Sequence, residues 1–280
     1  MYKNPILLDK IITNALEEDL GLGDLTTDSI VNSDIIGKAV LETREDIVLA
    51  GLPVFMRVFS VLDPNISFET FYEDGCKVSA GEVICSINGS MASILKAERT
   101  ALNLIQRMSG IATLTSKYVA KAGSDKVKIL DTRKTIPGLR LLDKYAVPLG
   151  GGCNHRFGLF DGILIKDNHI AVAGSISKAV KAARKNAPHG IRVEVEVEDL
   201  DGVKTAIEAG ADIILLDNMP PGRMKEAVDF VSGRALLEAS GGITLDNIKE
   251  IADTGVDMIS IGALTHSVKA VDLSLEISEL

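Results

Sequence analysis

The second half of the chain alternates between short apolar runs and amphipathic stretches, and this alternation limits the possible folds most. From residue 127 onward, six runs are typical of buried parallel strands, since they are rich in Ile, Val and Leu: VKILDT, DGILIK, IRVEVEV, DIILLD, RALLEAS and DMISIG. Helical stretches separate most of them, namely ISKAVKAARKN, LDGVKTAIEAG, RMKEAVDFV and LDNIKEIADTG. Such an alternation predicts either an α/β barrel or an open doubly wound sheet.

The residues that end these runs favour the barrel. Each run finishes in polar or small residues: Asp131-Thr132, Lys166, Glu196, Asp217, Ser240-Gly241-Gly242 and Gly262. In a barrel the carboxyl ends of all strands meet on one face, and that face carries the active site. In an open sheet only the strands beside a switch point need such ends. We therefore predict a barrel with its active site on this face.

The first hundred or so residues follow another pattern, at the loose boundary precision that sequence patterns allow. The run ISFETFYEDGCKVSAGEVICSINGS alternates and breaks at glycines, which predicts strands and turns. GKAVLETREDIVLAG predicts a pair of strands joined by a charged turn, and Pro53 opens a helix in LPVFMRVFSVL. ILKAERTALNLIQRMSGIATLTSKYVAKAG is helical, either as one helix or as two that break near Ser109-Gly110.

Charge is distributed unevenly in the chain. The formal net charge is -9 and the isoelectric point about 5.1, yet one stretch from Ile129 to Ile170 gathers Arg133, Lys134, Arg140, Lys144, His155, Arg156, Lys166 and His169. A cationic cluster in an acidic protein indicates a pocket for a small polyanion. Nucleic acid is disfavoured as a partner, because such proteins are usually basic and because only 4% of residues are aromatic.

The N-terminus has no signal-peptide pattern, and no run of about 18 apolar residues indicates a membrane span. Three cysteines without C-x-x-C spacing suggest a reducing compartment. We expect a cytoplasmic protein that does not bind membranes.

Two cationic motifs flank a glycine-rich turn. Arg133 can grip a carboxylate or phosphate with two hydrogen bonds, and Lys134 offers a point charge. Gly150-Gly151-Gly152 allow the backbone before His155 and Arg156 to approach a ligand. Taken alone, DTRK would be a solvated charge run and His155 a structural histidine. Their combination favours an anion site.

Acidic residues alternate along one strand candidate. Strand periodicity places Glu194, Glu196 and Glu198 on one face, and carboxylates inside a barrel need a cation, a sugar hydroxyl or Mg²⁺. The alternative is an edge strand with its charged face in water. Asp217 ends the next apolar run. Lys166 is either an anion binder or a Schiff-base nucleophile.

Small residues follow the last two strand candidates. Ser240-Gly241-Gly242 and Ser260-Ile-Gly262 are typical of turns that bind phosphate through backbone N–H groups in barrels.

These segments together resemble the quinolinate phosphoribosyltransferases, also called nicotinate-nucleotide pyrophosphorylases. The matching pieces are EEDLGLGDLTTD, AERTALNLIQRMSGIAT, DTRKTIPGLR, GGGCNHRFGLFDGILIKDNH, EVEVEDL, GADIILLDN, EASGGI and SIGALTHS, and they follow the family's order over nearly the whole chain. The resemblance implies an N-terminal α/β sandwich domain at 1–108 and an incomplete, six- to seven-stranded α/β barrel at 109–268. The tail at 269–280 could pack back on the first domain.

The resemblance also implies an activity and a site. Members of the family make nicotinate mononucleotide, CO₂ and pyrophosphate from quinolinate and phosphoribosyl pyrophosphate with Mg²⁺. Carried over by position, quinolinate would be bound by Arg133, His155, Arg156 and Lys166. Lys134, Glu196 and Asp217 would be catalytic, with the two acids holding Mg²⁺ through water. Phosphate would be bound by Ser240, Gly241, Gly242 and Gly262.

Arg99 alone would be a surface arginine, but it resembles a family arginine that enters the neighbouring subunit's site. The resemblance thus implies a homodimer, with a hexamer as the alternative. A molybdenum-uptake-associated family shares the fold but departs at the DTRKT and KDNH segments, which are intact here. Two further functions compete with the transferase: a phosphate-binding barrel lyase that uses Lys166, and a non-catalytic anion-binding module.

Overall fold

The computed structural model describes residues 5–32, 34–124 and 126–279. These residues form two compact units, one drawn from Met1–Ser116, Thr135–Gly151 and Thr265–Leu280, and the other from Lys117–Lys134 and Gly152–Leu264. The division lies within one long helix, and so does the predicted domain boundary at 108/109. The segment 135–151 interrupts the second unit, which no pattern in the sequence indicated. The predicted domain ranges stay a prediction.

The first unit contains a four-stranded antiparallel sheet in the order β12-β1-β5-β3. Its strands are β1 (Ile36–Thr43), β3 (Ser67–Thr70), β5 (Val83–Ser90) and β12 (Leu273–Glu279), and a separate pair joins β2 (Ile47–Val48) to β4 (Lys77–Val78). The predicted strand pair in GKAVLETREDIVLAG is therefore wrong in its pairing. Both strands exist, but β1 hydrogen-bonds to β5 and β12 while β2 pairs with β4, because partners distant in sequence compete successfully with the neighbouring strand.

Helices complete this unit. They are α1 (Pro5–Leu20), α2 (Leu25–Ile30), α3 (Leu52–Leu62), α5 (Arg140–Leu149) and the first part of α4 (Met91–Ala122). Asp24 caps α2 by accepting hydrogen bonds from Thr26 and Thr27 N–H, and a proline lies in the first turn of α3, as predicted. Together with the sheet, they bury a hydrophobic core that is mostly aliphatic and also contains Phe55 and Phe59.

Helix α4 is continuous and does not break at Ser109-Gly110. Gly110 is explained by packing, because a Cβ at this position would collide with the carbonyl oxygen of Lys269. Ser109 is also used, since its hydroxyl bonds to the backbone of Ala50. Although α4 has 32 residues, no helix in the described part of the chain has the length and apolar character needed to cross a membrane.

The second unit contains a parallel six-stranded sheet in the order β6-β11-β10-β9-β8-β7. Its strands are β6 (Lys128–Leu130), β7 (Ile163–Ile165), β8 (Val193–Val197), β9 (Ile213–Asp217), β10 (Leu236–Ser240) and β11 (Met258–Ser260). Strands β7 to β11 follow one another in space as in sequence, and β6 pairs with the last of them. In a doubly wound sheet the spatial order of the strands would reverse at a switch point. The strand order confirms the barrel.

The barrel is incomplete, as predicted. Within the described ranges β6 and β7 share no ladder, and β6 instead has an isolated parallel bridge from Leu130 to Cys153. Its helices are α6 (Asp167–Ala173), α7 (Ile176–Asn186), α8 (Leu200–Ala209), α9 (Pro221–Val231), α10 (Ile248–Ala252) and, at the boundary of the unit, α11 (Ala263–His266).

Two aspartates fix the register at the amino ends of the strands. Asp212 accepts a hydrogen bond from the backbone N–H of Val193 at 2.8 Å, and Asp257 accepts one from Leu237 at the same distance. Each carboxylate thereby satisfies a backbone donor in the first two residues of a neighbouring strand. With register fixed at this end, the polar residues at the carboxyl ends lie together.

Candidate active site

Polar side chains end three neighbouring strands of the barrel. Glu196 lies in β8, Asp217 is the last residue of β9, and Ser240 ends β10 opposite Asp217. In the pairing of β8 with β9, Glu196 lies opposite Leu215. The predicted strand-end residues therefore meet at one end of the sheet, where parallel strands place catalytic groups.

Lys166 and Glu196 form an ion pair. The Nζ of Lys166, just after β7, lies 2.7 Å from Oε2 of Glu196. The lysine side chain is 46% exposed and the glutamate 16%, so solvent screens the pair from one side. His169 holds the backbone of Lys166, because its Nδ1 accepts the Lys166 N–H at 3.0 Å.

The turn after β9 packs against the turn after β10 and is hydrogen-bonded to it. Asn218 has a left-handed backbone (φ 52°). Its N–H donates to Ser240 O at 2.8 Å and its Nδ2 donates to Asp217 Oδ2 at 2.9 Å. Gly241 (φ 92°) passes so close that a Cβ there would collide with the Asn218 amide. Glycine is thus required beside Asp217, and it leaves the backbone near the strand ends uncovered.

The other predicted phosphate-binding glycines lie in adjoining turns. Gly242 is exposed with φ 59°, and its carbonyl accepts a hydrogen bond from Asn247 Nδ2 at 3.0 Å. Gly262 is half-buried directly after β11.

A fully buried aspartate anchors the segment that carries His155. Asp131 follows β6 and is 0% exposed. Its Oδ2 accepts Asn154 Nδ2 at 2.6 Å, and its Oδ1 accepts the backbone N–H of His155 at 2.9 Å. The polar residue at the end of the first strand therefore holds the loop that follows Gly152.

The His155 ring points at two buried glutamates. Its Nε2 lies 3.2 Å from Oε2 of Glu194 and 3.6 Å from Oε1 of Glu238. Burial raises the pKa of Glu238 to about 7 from its usual 4.5, and the charge of Glu194 adds to the rise, while His155 and Ser260 oppose it. Glu238 therefore loses its proton near neutral pH rather than in the acidic range.

This glutamate–histidine cluster (His155, Glu194 and Glu238) has the composition of a metal site, with donor atoms within 4.8 Å of one another. It differs from the predicted metal residues, Glu196 and Asp217. Burial disfavours the charged form of Glu238, so the cluster offers a cation less negative charge than two ordinary carboxylates would.

Two arginines lie close together in this unit. Arg156 is half-buried and its Nη1 donates to Gly162 O at 2.9 Å. Burial lowers the pKa of Arg156, and the charge of Arg133 lowers it further, while Glu194 and Asp161 oppose the shift. Two half-buried arginines whose charges repel each other favour an anion between them.

The remaining predicted residues lie on an exposed loop or in the first unit. Lys134 is exposed, and its backbone N–H donates to Thr132 Oγ1 at 3.0 Å. Arg99 is exposed on α4 of the first unit. Arg140 and Lys144, which belong to the same cationic stretch of sequence, lie on α5 of the first unit, and Lys144 is only 1% exposed.

Residues 24–109 match the family model for the N-terminal domain of quinolinate phosphoribosyl transferase, and residues 111–276 match the model for its C-terminal domain. The chain belongs to the quinolinate phosphoribosyltransferase family. The resemblance seen in the sequence is confirmed.

Members of this family match along nearly their full length. A "Probable nicotinate-nucleotide pyrophosphorylase (carboxylating)" of Bacillus subtilis (strain 168) is 46% identical over 275 residues, which cover 98% of this chain and 95% of the relative. The crystal structure of NadC from Streptococcus pyogenes has a TM-score of 0.95 at 43% identity and covers 99% of this chain and 98% of that one. The nicotinate-nucleotide pyrophosphorylase of Francisella tularensis has a TM-score of 0.92 at 46% identity, with 98% and 96% covered.

One cavity of the barrel lies away from the predicted catalytic groups. It has a volume of about 410 Å³ and its lining includes the first residues of four strands: Lys128, Ile163, Ile213 and Met258. It therefore opens toward the amino ends and reaches inward to the glutamate–histidine cluster. Its lining also includes His155 and Arg156, two of the predicted quinolinate-binding residues, whereas Lys134, Glu196 and Asp217 do not line it.

Four residues that shape the site were not predicted as site residues. They are Asp131, Glu194, Asn218 and Glu238. A signal existed for Glu194, which shares the inward face with Glu196, and for Glu238, a lone acid within the apolar run ALLEA. Nothing in the sequence pointed to the role of Asn218, because its contact with Gly241 depends on two turns that meet only in the fold.

Proposed function

We propose that this chain transfers the phosphoribosyl group of phosphoribosyl pyrophosphate to quinolinate with loss of CO₂, which yields nicotinate mononucleotide and pyrophosphate. The observation that carries the proposal is the pair Arg133 and Arg156, two half-buried arginines near enough for the charge of Arg133 to lower the pKa of Arg156, in a chain related over its whole length to enzymes named for this reaction. Quinolinate bears two adjacent carboxylates, which suit two neighbouring bidentate donors.

In this proposal Arg133, His155, Arg156 and Lys166 bind quinolinate. Rejection of a pyridine with a single carboxylate follows, because one arginine would then remain desolvated without an anion. Lys166 would meet the substrate while it stays in contact with Glu196, since its side chain is partly exposed.

The phosphoribosyl donor is proposed to bind at the strand ends. Ser240, Gly241, Gly242 and Gly262 would contact phosphate with backbone N–H groups. Glu196 and Asp217 would hold the ribose hydroxyls and stabilise the positive charge that develops at the anomeric carbon. Lys134 would lie between the two substrates, because its exposed side chain extends from the loop that also carries Arg133.

The carboxylates at these strand ends fit Mg²⁺, which commonly takes one or two protein carboxylates beside substrate phosphates. Glu196 already pairs with Lys166 and Asp217 accepts the Asn218 amide, so contact through water suits both acids. When bound, Mg²⁺ supplies positive charge for the departing pyrophosphate.

The reaction balances without a further cofactor. The pyridine nitrogen attacks the anomeric carbon, the bond to pyrophosphate breaks, and the ring becomes cationic. The bond from C2 to its carboxylate then breaks, CO₂ departs, and its electron pair stays on C2 beside the positive nitrogen. A proton taken up at C2 completes nicotinate mononucleotide.

The test is incubation with quinolinate, phosphoribosyl pyrophosphate and Mg²⁺, followed by mass detection of nicotinate mononucleotide and CO₂. Nicotinic acid replaces quinolinate in the matched control. Comparable turnover of nicotinic acid would contradict the dicarboxylate assignment.

No structural observation favours the lyase or the molybdenum-related function. A Schiff-base lysine needs a desolvated amine, whereas Lys166 is ion-paired and 46% exposed. The chain's relatives carry the names of pyrophosphorylases and quinolinate phosphoribosyltransferases, which does not favour a molybdenum-uptake role. A cytoplasmic location stays a prediction from the sequence.

The dimer is part of the same proposal, with Arg99 supplied to the partner's site. Its support is indirect: Arg99 is exposed on α4, and it lies in the AERTALN segment that resembles the family. Arg99→Ala and Lys134→Ala, each inactive alone, are mixed and allowed to exchange subunits. Half of the dimers are then mixed and half of their sites are intact, so about a quarter of wild-type activity should return. Exchange without any recovery would show that Arg99 does not act across an interface.

A further inference from the structure

Two glutamates inside the barrel have no role in the reaction as proposed above. Glu194 is 5% exposed and Glu238 is 1% exposed. Each keeps one oxygen, Oε1, that accepts no hydrogen bond from any described residue. A buried acceptor left unsatisfied is costly, and neighbouring strand residues such as Ile214 are apolar. Retention of two acids here therefore calls for a reason beyond packing.

The contacts of His155 supply that reason. Its Nδ1 accepts the backbone N–H of Arg156 at 2.7 Å. In a neutral ring the proton then resides on Nε2, and Nε2 faces Oε2 of Glu194 at 3.2 Å and Oε1 of Glu238 at 3.6 Å. The two acids and the backbone of Arg156 thus hold opposite edges of one imidazole.

The same segment is held independently on its other side. The N–H of His155 donates to Asp131 at 2.9 Å, and the guanidinium of Arg156 donates to Gly162 O at 2.9 Å. Arg156 is therefore held at its backbone by the His155 ring and at its guanidinium by Gly162. A shift of about 1 Å in such a group is enough to lower activity strongly.

We propose that Glu194 and Glu238 are positioning residues for quinolinate binding, which orient the His155 ring so that its Nδ1 fixes the backbone of Arg156 beside Arg133. The two acids act through His155 and need not touch the substrate. This inference rests on the proposed function, since it assigns the affected step to the dicarboxylate.

The variant Glu238→Met tests the proposal without a polar group left buried. Methionine has nearly the same length and should be tolerated in a barrel interior, but it offers His155 no charge or hydrogen bond. We expect the KM for quinolinate to rise at least tenfold, the KM for phosphoribosyl pyrophosphate to change less than twofold, and kcat to change less than the quinolinate KM. Glu238→Gln should recover most of the lost affinity, because its amide keeps the shape and a polar contact.

Glu226→Gln is the matched control, since Glu226 is an exposed acid on α9 that pairs with Arg223. Thermal unfolding is measured on every variant. A stable Glu238→Met protein with an unchanged quinolinate KM overturns the proposal, and so does an equal rise in both KM values. If Glu238→Met does not fold, Glu194→Met replaces it, with the same two outcomes.

A double-mutant cycle with His155→Ala tests whether the acid acts through the ring. If it does, the double variant has the quinolinate KM of His155→Ala alone to within twofold. Effects that multiply would overturn the proposal. Failure of the wild-type protein to consume quinolinate would overturn the proposed function itself, whereas an active wild type with an unaffected Glu238→Met variant overturns only this inference.

Discussion

The two compact units bury charged side chains in opposite ways. In the first unit, Asp143 is 0% exposed and receives two hydrogen bonds of 2.8 Å from Nε and Nη2 of Arg107, whose Nη2 also donates to Thr265 O. In the second unit, His155 faces two acids, and an oxygen of each acid has no hydrogen bond within the described chain.

The difference separates a structural ion pair from a functional cluster. The Arg107–Asp143 pair joins α4 to α5 with one positive and one negative charge and good bidentate geometry. The glutamate–histidine cluster has an excess of acid, and Glu238 compensates by keeping its proton up to near neutral pH. A fold that needed only stability would favour the first arrangement or apolar residues. The second arrangement is expected where chemistry or substrate binding demands it.

The largest effect on stability is expected when the Arg107–Asp143 ion pair is broken. Asp143→Ala leaves the Arg107 guanidinium partly buried without its anion, so the free energy of unfolding should fall by about 3–5 kcal/mol. Urea denaturation measures this, with the highly exposed Asp201→Ala as control. A loss below about 1 kcal/mol would place the pair among weak surface interactions and remove the contrast between the units.

The next effect separates binding from stability in the barrel. Arg133→Ala should weaken quinolinate binding by about 1.5–3 kcal/mol, the usual value of a charge-assisted contact, with little change in unfolding. Asp217→Ala should instead weaken binding of phosphoribosyl pyrophosphate. Calorimetry on both variants decides the matter, and equal losses for both ligands in folded proteins would refute the division of roles.

A smaller effect is expected in the pH dependence of stability. The folded pKa of Glu238, about 7, lies above its usual 4.5, so the folded protein binds this proton more tightly than the unfolded chain. The resulting stabilisation is complete below about pH 4.5 and is lost as the pH rises through 7. Glu238→Gln lacks this proton, so its stability relative to wild type should increase by about 2–2.5 kcal/mol from pH 5 to pH 8.

Denaturation at several pH values measures this difference, with the exposed Glu226→Gln as a flat reference. A difference between Glu238→Gln and wild type that stays constant from pH 5 to pH 8 would mean that Glu238 is ionised throughout, and the contrast with Asp143 would then be one of geometry alone.

The smallest effect is expected at the surface of the first unit. Arg57 and Asp9 make a bidentate pair at 2.8 Å, but their side chains are 44% and 36% exposed. Asp9→Asn should change the unfolding free energy by less than about 1 kcal/mol. The change should shrink further in 1 M NaCl, since salt screens exposed charges. A larger loss would show that bidentate geometry matters more than burial in this protein.

The sequence alone determined which segments form strands and helices in the barrel. Runs such as DIILLD must be buried on both faces, and parallel strands between helices are the way to achieve this. It also placed Glu196, Asp217 and Ser240 on one end, because chain direction is the same in every parallel strand. Local periodicity encodes these features, so no knowledge of distant partners was needed.

Only the tertiary structure decided which segments meet. Strand β1 pairs with β5 and β12 rather than with β2. Helix α4 continues through Gly110, and glycine is needed there because the backbone of Lys269 passes beside it. The direction of the His155 ring belongs to this group too. Histidine can be a cation, a donor or an acceptor, and what fixed its contacts here were Glu194, Glu238 and the N–H of Arg156. Arg156 is the next residue in the chain, but Glu194 and Glu238 come from two other stretches of sequence, and only folding brings them within ion-pair range of the ring.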